Sequence, residues 1–508
     1  MSEHPEYRVL YETRPINMLD DDMLLEIFNC CQLGYKNGWN VRLRRCKLSH
    51  VCRRWRHLIH SSSSHLGTHI MCTNGTPIVD TLDHLPPLPL FIDYLDEGVQ
   101  SIGFWRQITR ARRSREDELG ICHALRLRDR VRRIKLCVSP PTLDKSLRVM
   151  DEPFPILEHL SLSFTGDDTS LTPLKISPLF LAPNLRYLHL LGIRLPKRLR
   201  LLSSTLSLVT LKLTNIQAYG YIRPRLLAAR LESLSQLEEL TVGFSIPIPR
   251  PSVEELLLGK QGTPVILSNL KSFTFRGVSA YLERLISQIR APVLMKLNIT
   301  LFNQLAFTLT HLSHFVNITE QIQSPRTATI DFDPGRSITL CHVMREGRGY
   351  SDSGFTLKVM CKPLGWQSDC VAQICGALMS VLSGHENLII NRRVLPLNEL
   401  LMTNEEYDID DTIDSTTWHE LLRSFVSVKE LHIGYEFSVG LSRALEVDEI
   451  GLDPGLLPDL QELVSHYYGE HADSLFRSFI HARQVAGRPV SLRLLRPPPP
   501  PAPMRRRK

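Results

Sequence analysis

Apolar residues return along much of the chain in one short phrase, apolar-x-x-apolar-x-apolar. The phrase occurs seven times between residues 131 and 299, and successive copies start 23 to 33 residues apart. The last two apolar positions of each copy are two residues apart, which places both on one face of a short strand. The copies are Val131/Ile134/Leu136, Leu157/Leu160/Leu162, Leu185/Leu188/Leu190, Leu208/Leu211/Leu213, Leu237/Leu240/Val242, Leu270/Phe273/Phe275 and Leu294/Leu297/Ile299.

Helical patterns separate these strands, for example at Arg225–Leu237 and Tyr281–Ile289. Alternating strands and helices at this period predict an α/β protein with an irregular leucine-rich-repeat solenoid over residues 131–494, in which each repeat buries its leucines against its neighbours. A conventional α/β domain with parallel strands has the same alternation and remains an alternative.

The repeats are irregular. Thr165, Ile193 and Ile216 occupy the place where a regular leucine-rich repeat has Asn, so we expect no Asn ladder between turns. After residue 301 the phrase weakens to a strand at Ala328–Asp333 and a hairpin of Ser337–Val343 with Phe355–Cys361. It then returns at His385/Leu388/Ile390, Val428/Leu431/Ile433 and Pro489/Leu492/Leu494.

Two helical stripes precede the repeats. The first follows three aspartates at residues 20–22, which suit the exposed N–H groups at a helix start. The second lies within Leu48–Ile59, where the apolar residues keep to one helical face. About 45 residues are too few for a robust core, so both helices must also pack against something else. The stripes consist of Leu24, Ile27 and Phe28, and of Leu48, Val51, Cys52, Trp55, Leu58 and Ile59.

The segments INMLDDDMLLEIFNCC and LRRCKLSHVCRRWRHLI within Pro15–His60 resemble the F-box, through a Leu-rich first helix and a V-C-x-x-W element. The connection Gln32–Val41 is longer than the usual F-box link. Such a link, and the following stretch Cys72–Ile92, resemble the large fungal group of F-box proteins with leucine-rich repeats. An ordinary buried helix is the alternative for Leu48–Ile59.

The resemblance implies a small all-α F-box module at residues 15–60, after an N-terminal tail at 1–14. A partly helical connector at 61–130 leads to the repeats, and a Pro-rich basic tail at 495–508 follows them. The resemblance further implies a substrate adaptor of a Skp–cullin–F-box ubiquitin ligase, which binds a Skp-type linker subunit, through it a cullin, and a protein substrate. A non-ligase interaction scaffold is the alternative. The linker-subunit contacts would be Leu19, Leu24, Ile27, Phe28, Leu48, Val51, Cys52, Trp55 and Leu58.

Substrate recognition is expected on the outward positions of the strands, because alternate strand residues point away from the leucines. Lys212 and Arg276 are the predicted anchors for an acidic or phosphorylated segment. Solvated strand residues without a partner are the alternative. The outward positions are Ser161, His189, Lys212, Thr241, Thr274 and Asn298, followed by Ser163, Leu191, Thr214, Gly243, Arg276 and Thr300.

Charge and cysteine content add little chemistry. The net charge is +7, of which the last four residues supply four, so no nucleic-acid partner is expected. Eleven cysteines without CxxC pairs argue against a zinc site or a complete disulfide framework. The polar first residues contain no secretory signal, and no apolar run is long enough to span a membrane. We therefore expect an intracellular protein, cytoplasmic or nuclear or both. The tail RPPPPPAPMRRRK suits a protein-binding polyproline segment or a weak nuclear signal.

No catalytic or metal motif emerges, so neither enzymatic activity nor a cofactor is expected. The acidic run around Asp408–Asp414 lacks the Gly and Glu that a calcium loop needs. His311 and His314 have no carboxylate at ligand spacing. The glycines of Gly347–Gly354 lack the Lys-Ser/Thr of a P-loop.

Overall fold

The chain divides into two compact units, Met1–Thr205 (unit 1) and Leu206–Lys508 (unit 2). Each unit is described by itself, from a computed structural model. The described residues are 19–30, 48, 51–62, 69–76, 78–82, 87–95, 104–164, 174–195, 200–246, 263–319, 322, 326–333, 337–343, 354–361, 363–392, 413–445, 456–465 and 472–495.

Unit 1 combines short helices with parallel strands. Its helices are α1 (Asp21–Cys30), α2 (Arg53–Ser61), α3 (Ile78–Leu82), α4 (Phe104–Arg126), α5 (Pro140–Val149) and α6 (Arg200–Ser204). Its strands are β1 (Ile70–Thr73), β2 (Leu90–Leu95), β3 (Val131–Val138), β4 (His159–Phe164) and β5 (Tyr187–Leu191). The strands pair in chain order, each parallel to the next.

The sheet of unit 1 begins earlier than the sequence pattern predicted. Residues 61–130 were expected to form a connector, yet β1 and β2 extend the sheet, and Ile92 pairs in register with Ile134. The physical reason is visible in β2, where Leu90, Ile92 and Tyr94 alternate and are buried. These alternating residues do not follow the apolar-x-x-apolar-x-apolar phrase, so the phrase does not indicate this strand.

Unit 2 continues the alternation of strands and helices. Its strands are β6 (Thr210–Ile216), β7 (Glu239–Phe244), β8 (Val265–Ile266), β9 (Ser272–Gly277), β10 (Ile289–Arg290), β11 (Lys296–Phe302), β12 (Thr327–Asp333), β13 (Ser337–Val343), β14 (Gly354–Met360), β15 (Asn387–Arg392), β16 (Glu430–Ile433), β17 (Glu462–Ser465) and β18 (Ser491–Leu494). Its helices are α7 (Pro224–Leu231), α8 (Ser279–Ile286), α9 (Thr310–Asn317), α10 (Leu364–Ala377), α11 (Met379–Leu382), α12 (Ser415–Leu422), α13 (Tyr435–Ala444), α14 (Ala472–Leu475) and α15 (Arg477–Val485).

The main sheet of unit 2 has the order β6-β7-β9-β11-β14-β13-β12-β15-β16-β17-β18. All neighbours are parallel except β13, which is antiparallel to both β12 and β14. The predicted hairpin of β13 with β14 is therefore confirmed. Strand β12 pairs with the other edge of β13. The hairpin reverses the chain order locally, since β14 rather than β12 pairs with β11. A mixed α/β architecture with a mostly parallel sheet is compatible with a leucine-rich-repeat-like solenoid.

A four-residue turn precedes many strands and begins with a buried residue. The N–H of Leu185 donates to the carbonyl of Ala182 (3.1 Å), and that of Leu237 to Leu234 (3.1 Å). Asn side chains then connect consecutive turns: Nδ2 of Asn184 donates to the carbonyl of Pro155 (2.7 Å), and Nδ2 of Asn269 donates to that of Ser235 (2.8 Å). These Asn residues precede their strands, whereas the expected absence of an Asn ladder concerns positions at or after the ends of the strands, where Ile193 and Ile216 lie.

A buried carboxylate connects two consecutive helices of unit 2. Glu283 of α8 accepts hydrogen bonds from the N–H groups of His311 (2.7 Å) and Leu312 (2.8 Å), in the first turn of α9. Burial raises the pKa of Glu283, and the two backbone hydrogen bonds act in the opposite direction. The contact satisfies N–H groups that a helix start leaves without partners.

A first prediction concerns the dependence of neighbouring repeats on one another. Leu211 of β6 is fully buried and pairs in register with Leu240 of β7. Leu211→Ala should cost about 2–5 kcal/mol, because it removes packing and leaves a cavity. Hydrogen exchange should show lost protection in β7 as well as in β6.

Leu206→Ala is the matched control, because the Leu206 side chain is 60% exposed. It should cost less than about 0.5 kcal/mol. A loss of protection confined to the turn beside Leu211 would contradict the interdependence of the stacked strands.

Candidate interaction surfaces

The two N-terminal helices begin at defined caps. Asp20 Oδ1 accepts a hydrogen bond from the N–H of Met23 (2.7 Å) at the start of α1, as the run of aspartates indicated. The prediction of one helix over Leu48–Ile59 was wrong, since α2 begins only at Arg53. Cys52 has an extended backbone (φ −154°), and its Sγ accepts from the N–H of Trp55 (3.4 Å). This cap separates the turn at residue 51 from the helix.

The helix pair α1/α2 has a small apolar core. Leu24, Phe28, Leu58 and Ile59 are buried in it, and the Phe28 and Trp55 rings meet edge to face with centroids 4.7 Å apart. Three further predicted contact residues pack half-buried around this core: Leu19, Leu48 and Trp55. These side chains therefore hold the two helices together and do not form the outer surface of the pair.

A two-pronged ion pair also joins the two helices. Nη2 and Nε of Arg54 donate to Oδ1 of Asp21 at 2.7 and 3.0 Å, and Nη2 also donates to the carbonyl of Leu19 at 2.6 Å. The side chains are largely exposed, so the pair fixes geometry more than it adds stability. Amphipathic spacing gave no sign of this contact across 33 residues.

The remaining predicted contact residues are exposed. Ile27 and Val51 have exposed fractions of 38% and 59%, and Cys52 is exposed as well. Met23 lies one helical turn before Ile27 on α1, with 52% of its surface exposed, although the sequence pattern did not single it out. The helix pair therefore keeps apolar side chains on its outside, which is the surface that a partner would bury.

On the outward face of the unit 2 sheet, the predicted residues lie in two rows. Lys212, Thr241, Thr274 and Asn298 occupy one row in register, and Gly243, Arg276 and Thr300 the next. The first of the two predicted anchors, the Lys212 ammonium, forms an ion pair with Glu239 on the adjacent strand at 2.8 Å. Its charge is therefore already neutralised by a neighbour.

The second anchor, Arg276, lies in a different setting. It is exposed, and its guanidinium carbon is 5.7 Å from the centre of the Phe302 ring. Thr300 and Lys358 follow it in register on β11 and β14. Among the residues that the structure describes, neither Arg276 nor Lys358 has a carboxylate partner. The strands β9, β11 and β14 contain no Asp or Glu. This region, the β9–β11–β14 patch, is a cationic surface that the sequence indicated only through Arg276.

The outward face of unit 1 carries aromatic and basic side chains. Phe91, Arg133, His159 and Tyr187 form one row in register across β2 to β5. The rings of His159 and Tyr187 are stacked, with centroids 4.1 Å apart and planes 6° apart. At the other end of the row, Phe91 stacks on the ring of His69 at 3.7 Å.

The next row of unit 1 contains Asp93, Lys135, Ser161 and His189. Ser161 was predicted to be outward and available, but it is buried, and its hydroxyl hydrogen-bonds to Nδ1 of His189 at 3.3 Å. The further predicted positions Ser163 and Leu191 are half-buried in unit 1, as is Thr214 in unit 2. Sequence alternation gives the face of a residue but not its hydrogen bonds across strands.

The described residues that the sequence offered as candidates for metal binding or reactivity have other surroundings in the structure. The carboxylate of Asp414 accepts from the N–H of Thr417 (2.7 Å) as the N-cap of α12. His311 and His314 lie exposed on α9, and the described residues contain no group of three or more His, Cys, Asp or Glu that could hold a metal. Burial raises the pKa of Cys370 to about 12, which keeps this thiol protonated. Among the described helices, none is long and apolar enough to cross a membrane.

Comparisons with known proteins identify no family. No protein-family model matches the chain, and no curated protein matches it. A solved structure, the crystal structure of a TLR13–ssRNA13 complex, aligns with a TM-score of 0.26 and 12% sequence identity. The alignment covers 81% of this chain and 48% of that chain, so the protein spans about half the length of the matched chain. A similarity this low carries no argument about function.

A second prediction concerns the packing of the helix pair. Trp55→Ala should destabilise α1 and α2 by about 2 kcal/mol, less than the roughly 3–5 kcal/mol for a fully buried Trp, because Trp55 is half-buried. Hydrogen exchange should quicken in both helices while β3 and β4 keep their protection. Unchanged exchange in α1 would show that the edge-to-face contact with Phe28 does not hold the pair together.

Proposed function

We propose that the protein is a substrate adaptor of a Skp–cullin–F-box type ubiquitin ligase. In this proposal the helix pair α1/α2 binds the Skp-type linker subunit, and the outward strand faces bind the protein to be ubiquitinated. The observation that carries the proposal is the apolar surface of Met23, Ile27 and Val51 within the segment that resembles the F-box. A helix pair of this size cannot bury these side chains itself, so a partner that covers them gains their transfer free energy.

The strand faces suit the second role. Their inward positions are occupied by buried apolar side chains, so the outward positions are free to vary with the partner. On unit 2 the β9–β11–β14 patch combines Arg276 and Lys358 with hydroxyl side chains, which complements an acidic segment. The protein would supply recognition rather than catalysis, and would act in the cytoplasm or nucleus.

An interaction scaffold without ubiquitin transfer is the second candidate function. It is favoured by the same strand faces, which would bind partners equally well without a ligase. Copurification of cullin with the full-length chain separates the two, because a scaffold has no reason to retain cullin.

A third prediction tests the helix pair. Ile27→Glu with Val51→Glu places two charges on the apolar surface without disturbing the buried core. Binding of the linker subunit to the full-length chain should fall at least about tenfold in a pull-down, because unpaired charges at an interface core are costly to desolvate.

The matched control is Leu119→Glu with Leu179→Glu, because both leucines are exposed in unit 1 outside the F-box-like segment. This control should bind the linker subunit normally. Equal binding by both double variants would rule out the helix pair as the linker site.

A fourth prediction tests the β9–β11–β14 patch. Arg276→Glu with Lys358→Glu reverses two cations for which the described part of the chain offers no carboxylate partner. This change should remove a subset of the proteins copurified with the full-length chain, compared by mass spectrometry. Lys212→Glu is a control on the same face, at a cation already paired with Glu239, and should lose fewer partners.

A second control, Arg225→Glu with Arg443→Glu, alters exposed arginines on helices α7 and α13. If this variant loses the partners and the patch variant keeps them, recognition lies on the helical side.

A further inference from the structure

The main sheet of unit 2 ends at β18, and this last strand is covered on one side only. Of the described strands, β17 alone pairs with β18. The N–H groups of Ser491 and Leu495 donate to carbonyls on the β17 side at 2.9 and 3.0 Å. Because backbone groups alternate in direction along a strand, those of Leu492 and Leu494 point away from β17, to the open edge of the sheet.

The side chains of β18 show the same lack of cover. Leu492 and Leu494 continue the inward rows of the sheet, where they follow Leu463 and Ser465 of β17 in register. Leu463 and Ser465 are fully buried, whereas Leu492 and Leu494 are only half-buried. The end of a solenoid needs a cap, because the apolar residues of its last repeat otherwise face water. An added strand with apolar residues opposite the two leucines would supply this cover.

The last repeat is also basic. Residues 472–495 contain four arginines and one aspartate, and Arg477, Arg488 and Arg493 are exposed. The Arg493 side chain, on the outward face of β18, is 63% exposed and reaches Glu462 of β17 only at 3.9 Å, the long end of an ion pair. A guanidinium has five N–H donors, so Arg493 can bind a second carboxylate on its open side.

Two occupants that the chain itself offers fit this edge poorly. A second copy, paired antiparallel so that both Leu492 and Leu494 are used, would place Arg493 directly opposite its own counterpart. Like charges directly opposite one another destabilise a strand pair. The segment after β18 contains Pro497–Pro501, which have no N–H group to donate to a neighbouring strand. The edge therefore suits a strand from another protein.

We propose that the open edge of β18 binds an extended acidic segment of a partner protein as an additional strand. The backbone of this segment would hydrogen-bond to Leu492 and Leu494, and its side chains would follow the pattern apolar-acidic-apolar. The apolar residues would cover the two leucines, and the acidic residue would lie beside Arg493. The arginine that repels a second copy would thereby select the partner.

This surface is the edge of the sheet and is separate from the outward strand faces. The inference does not rest on the ubiquitin-ligase proposal, because an interaction scaffold would use the edge in the same way.

The test uses the full-length chain and a nine-residue peptide with Val-Glu-Val at its centre and threonines on both sides. Fluorescence anisotropy compares this Glu peptide with a Lys peptide, in which Lys replaces the central Glu. We expect the Lys peptide to bind at least about tenfold more weakly, because its charge faces Arg493. Equal affinity of the two peptides, or no binding of the Glu peptide, would overturn the acidic partner segment.

Backbone pairing has a readout that a contact between charges would not change. One version of the Glu peptide is N-methylated at both valines, and another at the glutamate. The N–H groups of neighbouring residues point to opposite sides of a strand, so only one of the two versions loses the donors that face β18. That version should bind at least about tenfold more weakly, and the other should bind like the parent. Equal effects of the two methylations would contradict an added strand.

Variants of the chain locate the site. Arg493→Glu should reverse the preference, so that the Lys peptide binds more tightly than the Glu peptide. Leu494→Pro removes an N–H group at the open edge and none that donates to β17, and should weaken the Glu peptide at least about tenfold. Arg443→Glu, the matched control, changes an exposed arginine on α13 and should leave both affinities unchanged. An unchanged preference in the Arg493→Glu variant would overturn the assignment to this edge.

Hydrogen exchange and sedimentation complete the test. Saturation of the native chain with the Glu peptide should slow exchange in β18, and slower exchange confined to other strands would place the peptide elsewhere. The Leu494→Pro variant without peptide should keep the native protection of β17, which shows that its last repeat is folded. The native chain should sediment as a monomer. A dimer that dissociates in the Leu494→Pro variant would assign the edge to a second copy and overturn the proposal.

Discussion

Each strand of the two units depends on an adjacent strand to cover its apolar residues. Leu160 and Leu162 in unit 1, like Leu240 and Val242 in unit 2, are fully buried although each strand is only six residues long. The backbone reinforces this dependence, because one carbonyl before a strand accepts two hydrogen bonds from the next strand. The carbonyl of Glu238, for example, accepts from the N–H groups of Lys271 and Ser272 at 2.8 and 3.0 Å. No repeat of this kind has a core of its own.

The inward strand positions are occupied by buried apolar side chains. The side chains at the outward positions are therefore what differs from one part of a sheet to another. On unit 2, Lys212 forms an ion pair with Glu239, whereas Arg276 and Lys358, a few strands later, have no carboxylate partner in the parts of the chain that are described. On unit 1, the corresponding face is aromatic and basic around His159. The two faces thus have the same backbone geometry and different chemistry, which is how a repeated scaffold accommodates different partners.

The sequence predicted the elements built from local spacing. The leucine triplets lead into strands, and the aspartates at residues 20–22 mark the start of α1, with Asp20 before it and Asp21 and Asp22 in its first turn. It failed where contacts depend on pairing between distant segments. Strand β14 pairs with β11, so that Lys296 lies opposite Gly354. These residues are far apart in the sequence, and no local pattern encodes their pairing. Likewise the Arg54–Asp21 and Lys212–Glu239 ion pairs join residues that only the folded arrangement brings together. The cap at Cys52 was missed because helical spacing continues through it.

The local reversal of strand order in unit 2 has a consequence for synthesis on the ribosome. Strands β7, β9 and β11 each pair with a strand already made, so they can form in the order of translation. The next partner of β11 is β14, which follows only after β12 and β13 have been made. During that interval β11 presents an open parallel edge, and closing it requires the intervening segment, which includes α9, β12 and β13, to be ordered. Parallel pairing across such a distance is slow. The nascent chain is therefore most exposed to aggregation, and most in need of a chaperone, between the emergence of residues 302 and 354.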